Sequence, residues 1–338
     1  MLAIEKKTVV IEGVSADDIP ESILNSTTPV ILKDFAQQWP IVIAGKQSPE
    51  KGADYIRKIY SGEPVTACYG EAEIKGRVFY NQDMSGFNYR GAKVDLNVVL
   101  DKLLEHSNDQ HSPTMYMGST EINRWFPGFN QENPIALDDC QPLTSMWIGN
   151  KSKIAAHYDF PQNIACSVIG KRRFTLFPPE QISNLYVGPI EFAPGGQEIS
   201  LVDFDQPDFE KFPKFEQAIN AAQVAELDAG DALLLPSMWW HHVEGLDSLN
   251  VLVSHWWRNS PAHLGRPNNA LLLAILSLRS LPTEQRKAWQ HIFNHYIFDH
   301  QDGDQDHIPE QVREMLNFPL DDVSARKIRA DLLNKLKR

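Results

Sequence analysis

The 338-residue chain is short of cysteine, of positive charge and of long apolar runs, and each shortage removes a class of function. Its three cysteines, Cys68, Cys140 and Cys166, are odd in number, widely spaced and without a C-x-x-C pair. That pattern speaks against a disulfide framework and for a reducing compartment, so a cytoplasmic location is expected. A formal net charge of −12 makes a phosphate backbone a poor partner, and no nucleic-acid binding is expected. The longest apolar run, ALLLAIL at 270–276, is far short of the ~20 residues that span a bilayer. The N-terminal MLAIEKKTVVIEGV has no uninterrupted apolar core of the signal-peptide kind, so no membrane partner is expected either. Neither a G-x-x-x-x-G-K-[ST] phosphate loop nor a G-x-S-x-G elbow occurs.

What is present is an ordinary globular composition, 42% hydrophobic and 22% charged, arranged in two stretches. Residues 1–60 mix strand-like pieces such as TVVIEGV and PVILKDF with helices. PVTACYG and GRVFYNQ read as short strands, and VDLNVVLDKLLEH as a helix. From 113 to 259 many short alternating runs are punctuated by Gly, Pro and Asn, the pattern of a sandwich or barrel. Beyond Pro261 the periodicity changes to helical: Trp289, Ile292, Phe293, Tyr296 and Ile297 form one apolar stripe. Val323, Ile328, Leu332, Leu333 and Leu336 fall loosely on one side of the last segment. The expected organisation is a β domain over 1–260 with α/β additions at its N-terminus, and a helical segment over 261–338. That segment holds more apolar surface than a tail needs, so a homodimer through it is expected.

The segment AAHYDFPQNIACSVIGKRRFTLFPP, residues 155–179, carries the chemistry. On a strand, positions i and i+2 share a face, so His157 and Asp159 project side by side. A third ligand is offered by PSMWWHHVE, where His241 and His242 must face opposite ways. His242 shares its face with Glu244, which is expected to face water; His241 shares its face with Trp239 and Val243, which is expected to face the core. His157, Asp159 and His241 then make two imidazoles and a carboxylate, a facial triad with open positions that favours non-haem Fe(II). Zinc can use the same ligands.

Oxygen-activating iron of this type needs an electron source, commonly a 2-oxoacid anchored on a basic side chain. Read as a two-residue hairpin, IGKR sets Ile169 opposite Arg172, which puts Arg172 on the face of Asn163. Lys171 and Arg173 then point away. A guanidinium fork suits a carboxylate.

HYDFPQN, GKRRFTLFPPEQ, LVDFDQPDFEKFPKF and PSMWWHHVE, in this order, resemble the JmjC/cupin-8 family of Fe(II)- and 2-oxoglutarate-dependent oxygenases. The likeness is greatest to the branch containing the asparaginyl hydroxylase of hypoxia-inducible factor, and TPVILKDFAQQWP resembles that family's N-terminal segment. The resemblance implies a double-stranded β-helix (cupin or jelly-roll) fold, mainly β, with iron on His157, Asp159 and His241. It further implies that Tyr116, Asn163 and Arg172 hold 2-oxoglutarate, with Ser254 nearby. Arg172 stands where the branch has a lysine, and Ser254 where it has an asparagine. GGQEISL lacks the arginine-glutamine pair that grips the asparagine substrate in that branch, and the helical tail stands where the branch has a dimerisation bundle. The expected reaction is hydroxylation of a C–H bond in a protein, peptide or small molecule, with release of succinate and CO2. The alternatives are a cupin scaffold that binds metal without turnover and, third, a zinc hydrolase.

Trp239, Trp240, Trp256 and Trp257 are candidates to line the mouth and grip a substrate. His291 and His295, the acidic DGDQD at 302–306 and the polar Met84-Ser85-Gly86 stretch read as an exposed helix face and two surface loops.

Overall fold

The structure, a computed structural model, describes residues 2–337 and divides into two units, one ending at Asn259 and the other beginning at Ser260. Among the described residues the strands of the first unit form two sheets. The larger runs in the order Val9–Ile11, Val30–Leu32, Ala232–Leu235, Gln162–Ile169, Asn250–Trp257, Leu143–Gly149, Thr114–Glu121, Val65–Gly70, Arg90–Val94. The smaller runs Gln223–Leu227, Arg172–Phe177, Trp240–Gly245, Lys153–His157, Arg77–Val78. This strand-rich, two-sheet layout is the jelly roll expected of a cupin.

Alternation along each strand decides what the sheets enclose. On the Gln162–Ile169 strand, Ile164, Cys166 and Val168 pack outward with Ile41, Ile56 and Leu100 of the flanking helices. Ala165, on the other face, packs inward with Leu233, Leu235 and Leu252 of the same sheet and with Phe174, Leu176 and Val243 of the opposite one. Apolar burial on both faces of the larger sheet is therefore the main support of the fold. A polar residue on an inward position breaks that inner core and opens a site.

Gly170 and Lys171 do join two strands, but not as a hairpin. The strand before them lies in the larger sheet and the strand after them in the smaller, so the chain crosses the sandwich at this point. Ile169 belongs to the outer core and is not opposite Arg172. The crossing needs glycine: Gly170 has φ +73°, and a Cβ there would meet the Leu249 carbonyl oxygen at 2.4 Å.

The second unit is helical, with helices Pro267–Leu278, Thr283–Phe293 and Asp322–Leu336 and a π-turn over Asn294–Phe298. Trp289, Ile292, Tyr296 and Ile297 of the expected stripe are exposed by 41–59%. No helix among the described residues is long and apolar enough to cross a membrane.

Candidate metal centre

His157 is the last residue of its strand, and it pairs directly with His241 on the neighbouring strand. Their rings lie 4.2 Å apart between centroids. Asp159 falls beyond the strand end, so it reaches the same point by the turn of the chain and not by strand alternation. The His241 Nε2 and an Asp159 carboxylate oxygen are 3.9 Å apart, within the span that two ligand bonds of about 2.1 Å can bridge. One donor atom from each of the three residues falls within 4.8 Å of the others.

The surroundings leave the correct atoms free. His157 Nδ1 faces the Ala155 carbonyl at 2.9 Å and His241 Nδ1 faces the Trp239 carbonyl at 3.0 Å. Each Nδ1 then carries the proton and donates it, which leaves each Nε2 as a lone-pair donor. Burial, reinforced by His157, lowers His241 to about 4, so its imidazole is neutral and ready to bind a cation at neutral pH. This donor set fits a divalent ion with open positions.

His242 behaves as the face argument requires, but its surroundings do not. It points to the far side of the sheet, where it is buried with its ring 4.5 Å from Phe204. Glu244 beside it is only 16% exposed and lies 3.8 Å from Arg173. That face forms the floor of a cleft walled by Leu2, Ala3, Ile4, Glu5, Lys7 and Phe204-Asp205, so the glutamate sits in a recess and not on an open surface.

Deeper in the sandwich the inward positions turn polar. Arg172 shares its strand face with Phe174 and Leu176 and is 5% exposed. Burial lowers its pKa to about 10, and the only charge partner that opposes the shift is Tyr116. No ion pair reaches it among the described residues, and its Nε is buried without an acceptor. Lys171 and Arg173 point away, as expected, onto Asp228 and Glu226. Tyr116 faces inward because its neighbours Met115 and Met117 belong to the outer core. Burial pushes its phenol well above the usual range, with Arg172 opposing, so the hydroxyl stays a donor. Asn163 is buried with its Oδ1 unpartnered and pairs across the sheet with Trp256, while Ser254, also buried, pairs with Ala165 two residues along. The structure thus puts Tyr116, Asn163, Arg172 and Ser254 on inward positions of the same sandwich.

Two residues of this space were not anticipated. Trp147 lies against Tyr116 at 6.2 Å and edge-on to Trp256 at 5.6 Å, and both indole N–H groups are buried without acceptors. Its place in the alternating run TSMWIG was the available signal. Gln197 donates from Nε2 to Asp159 Oδ1 at 3.0 Å, a contact across 38 residues that no periodicity announces. The tryptophans expected at a mouth are mostly elsewhere. Trp239 is in the inner core with its N–H on the Thr27 carbonyl, Trp240 packs on Tyr158, and Trp257 is in the outer core. Of the four, Trp256 faces the polar space; Trp240 and Trp257 alternate onto packed outer faces, and Trp239, on the inward side with His241, is held by its bond to the Thr27 carbonyl.

Residues 16–263 match the family described as a cupin-like domain. Human HSPB1-associated protein 1 is 24% identical over 297 residues, covering 80% of this chain and 56% of that protein. Lysine-specific demethylase JMJ31 of Arabidopsis thaliana is 31% identical over 134 residues, 37% of this chain and 24% of the relative. The tRNA wybutosine-synthesizing protein 5 of Gallus gallus is 34% identical over 106 residues, 31% of this chain and 30% of the relative. The chain spans about half the length of the HSPB1-associated proteins it matches.

Proposed function

Since the chain belongs to the cupin-like, JmjC-type domain family, we propose that it is an Fe(II)- and 2-oxoglutarate-dependent oxygenase that hydroxylates a C–H bond. The observation that carries this reading is Arg172, a buried guanidinium without a carboxylate, in the same sandwich as a ready metal triad. An unpaired buried charge is costly, on the order of several kcal/mol, unless a ligand supplies the opposite sign. The free groups around it are mostly donors: Arg172 Nε and the indole N–H groups of Trp147 and Trp256, with the Tyr116 hydroxyl alongside. Such a set suits a dicarboxylate.

Bound iron, with 2-oxoglutarate and oxygen, would supply the oxidation of the C–H bond, releasing succinate and CO2. The chain's own part is positional. His157, Asp159 and His241 would hold the ion, three protein donors that leave positions for reactants. Arg172 binds the distal carboxylate as a fork, and Tyr116 and Asn163 complete the cradle, with Ser254 beside them. The apolar inner core formed by Phe174, Leu176 and Val243 excludes water from the reacting end. The substrate is a protein or peptide side chain or a small molecule, and the second unit joins two chains into a homodimer. Incubation with iron, ascorbate and 2-oxoglutarate tests the reading by succinate release. No succinate with or without candidate substrates, together with intact metal binding, would make the protein a metal-binding scaffold instead.

A further inference from the structure

Residues 185–204 follow the short 3-10 turn Pro179–Asn184 and carry almost no regular structure, yet they are tied down at both ends. At one end, consecutive residues hold consecutive residues of the metal-binding stretch. Gln197 Nε2 donates to Asp159 Oδ1 at 3.0 Å, and the buried Glu198 accepts from the Tyr158 hydroxyl at 2.6 Å. The Ser200 N–H continues the tie, donating to the Ala156 carbonyl at 2.8 Å. At the other end an aromatic clasp grips the loop. Phe192 stacks on Phe87 at 4.9 Å, and Phe87 stacks on Tyr89 at 5.3 Å. The Tyr80 hydroxyl donates to the Phe192 carbonyl at 2.5 Å and the Tyr89 hydroxyl to the Pro194 carbonyl at 3.2 Å.

A carboxylate beside a metal ion has two ways to bind, through one oxygen or through both. The second way uses an extra coordination position. A triad that must leave room for two reactants has none to spare, and nothing in an aspartate itself prevents chelation. An amide N–H on one oxygen opposes it by setting the orientation of the carboxylate: it engages Oδ1 and fixes the plane, while Oδ2 faces His241 Nε2 at 3.9 Å. The amide donor in turn keeps its place only while the loop does, and the clasp and the Tyr158–Glu198 bond hold the loop.

We propose that Gln197 is a positioning residue that holds the Asp159 carboxylate in its ligating orientation, with Oδ2 turned toward His241 Nε2, and that the clasp of Tyr80, Phe87, Tyr89 and Phe192 keeps it there. This role rests on the metal reading of the triad and deepens it. The segment that lacks a substrate-gripping arginine-glutamine pair has a different task, oriented toward the metal. It also links the ion to residues 79–89, so displacement of that stretch is felt at the ligand carboxylate.

The test is Mn(II) affinity by calorimetry, with no cosubstrate present, for the wild type and for Gln197→Ala, Gln197→Met, Phe192→Ala and His241→Ala. Gln197→Met fills the glutamine's volume without its donor, so it separates the hydrogen bond from packing. Both Gln197 variants should bind Mn(II) roughly 10–100-fold more weakly, the range for lost partners of metal ligands, with melting temperatures near that of the wild type. Phe192→Ala should weaken binding in the same direction and by less. Wild-type affinity in Gln197→Met overturns the proposal while leaving the triad standing. Wild-type affinity in His241→Ala, or no binding by the wild type, overturns the triad and this role with it.

Discussion

The first unit buries apolar side chains on both faces of its larger sheet and gathers unpartnered polar atoms between its sheets; the second unit leaves many of its large apolar side chains exposed. In the first, Arg172 Nε, Asn163 Oδ1 and the Trp147 and Trp256 indole N–H groups are buried and unbonded. In the second, Ala325 is the buried apolar residue among the described ones, while Leu276, Ile297, Phe298 and Leu333 are 59–74% exposed. Folding normally satisfies buried polar groups and hides apolar ones, so both departures are the places to test for a ligand or a partner. The interior deficit is polar and donor-rich, and it calls for a small anion. The exterior excess is apolar and helical, and it calls for another protein surface.

The largest expected effect tests whether the chemistry is confined to the first unit. His241→Ala should abolish Fe(II) or Mn(II) binding, whereas His242→Ala should keep most of it, because His242 lies on the far side of the sheet beside Phe204. Calorimetry on the two variants decides it, and the opposite ranking would reverse the face assignment. The next effect is on the anion. Arg172→Ala should weaken 2-oxoglutarate binding by about 3–5 kcal/mol, roughly a hundredfold or more, with metal affinity near that of the wild type. Arg172→Lys should restore part of it, supplying charge without the planar fork.

These two residues also show what a sequence discloses. The choice of His241 over His242 was legible because strand alternation is local and has only two answers. Arg172 does face inward, but the hairpin that suggested it is absent: two residues can connect a strand to its neighbour or to the opposite sheet, and spacing alone does not distinguish them. Trp147 was readable from alternation in TSMWIG. Gln197 was not, since its partner is 38 residues away and neither residue lies in a regular element. The recess around Glu244 was equally hidden, because Leu2, Ala3, Ile4, Glu5 and Lys7 return to that face from the far end of the chain.

The exterior excess is tested by cutting the chain after Asn259. The full chain should be a dimer at micromolar concentration by light scattering, and the shortened chain a monomer that still binds metal. A monomeric full-length chain would leave the exposed stripe of Trp289, Ile292, Tyr296 and Ile297 without an occupant of its own kind.

The smallest effect concerns acid, and it is read at a histidine of the first unit. His255 lies on the outer face of the larger sheet, its ring 5.9 Å from Trp39 and its Nδ1 3.3 Å from the Ile164 carbonyl. Burial lowers its pKa to about 4, against an unfolded value of ~6.5. Between those values the unfolded chain binds a proton that the folded chain refuses, so the stability it contributes is present above about pH 6.5 and is lost as pH falls toward 4. From pH 7 to 5 the loss is about 2 kcal/mol. His242, lowered by burial to about 3, adds a slope of the same sign. His255→Gln should therefore flatten, but not abolish, the fall in urea-unfolding free energy between pH 7 and 5. If the glutamine variant keeps the whole slope, His255 is protonated in the folded state, and the packed outer face is more open to water than its burial implies.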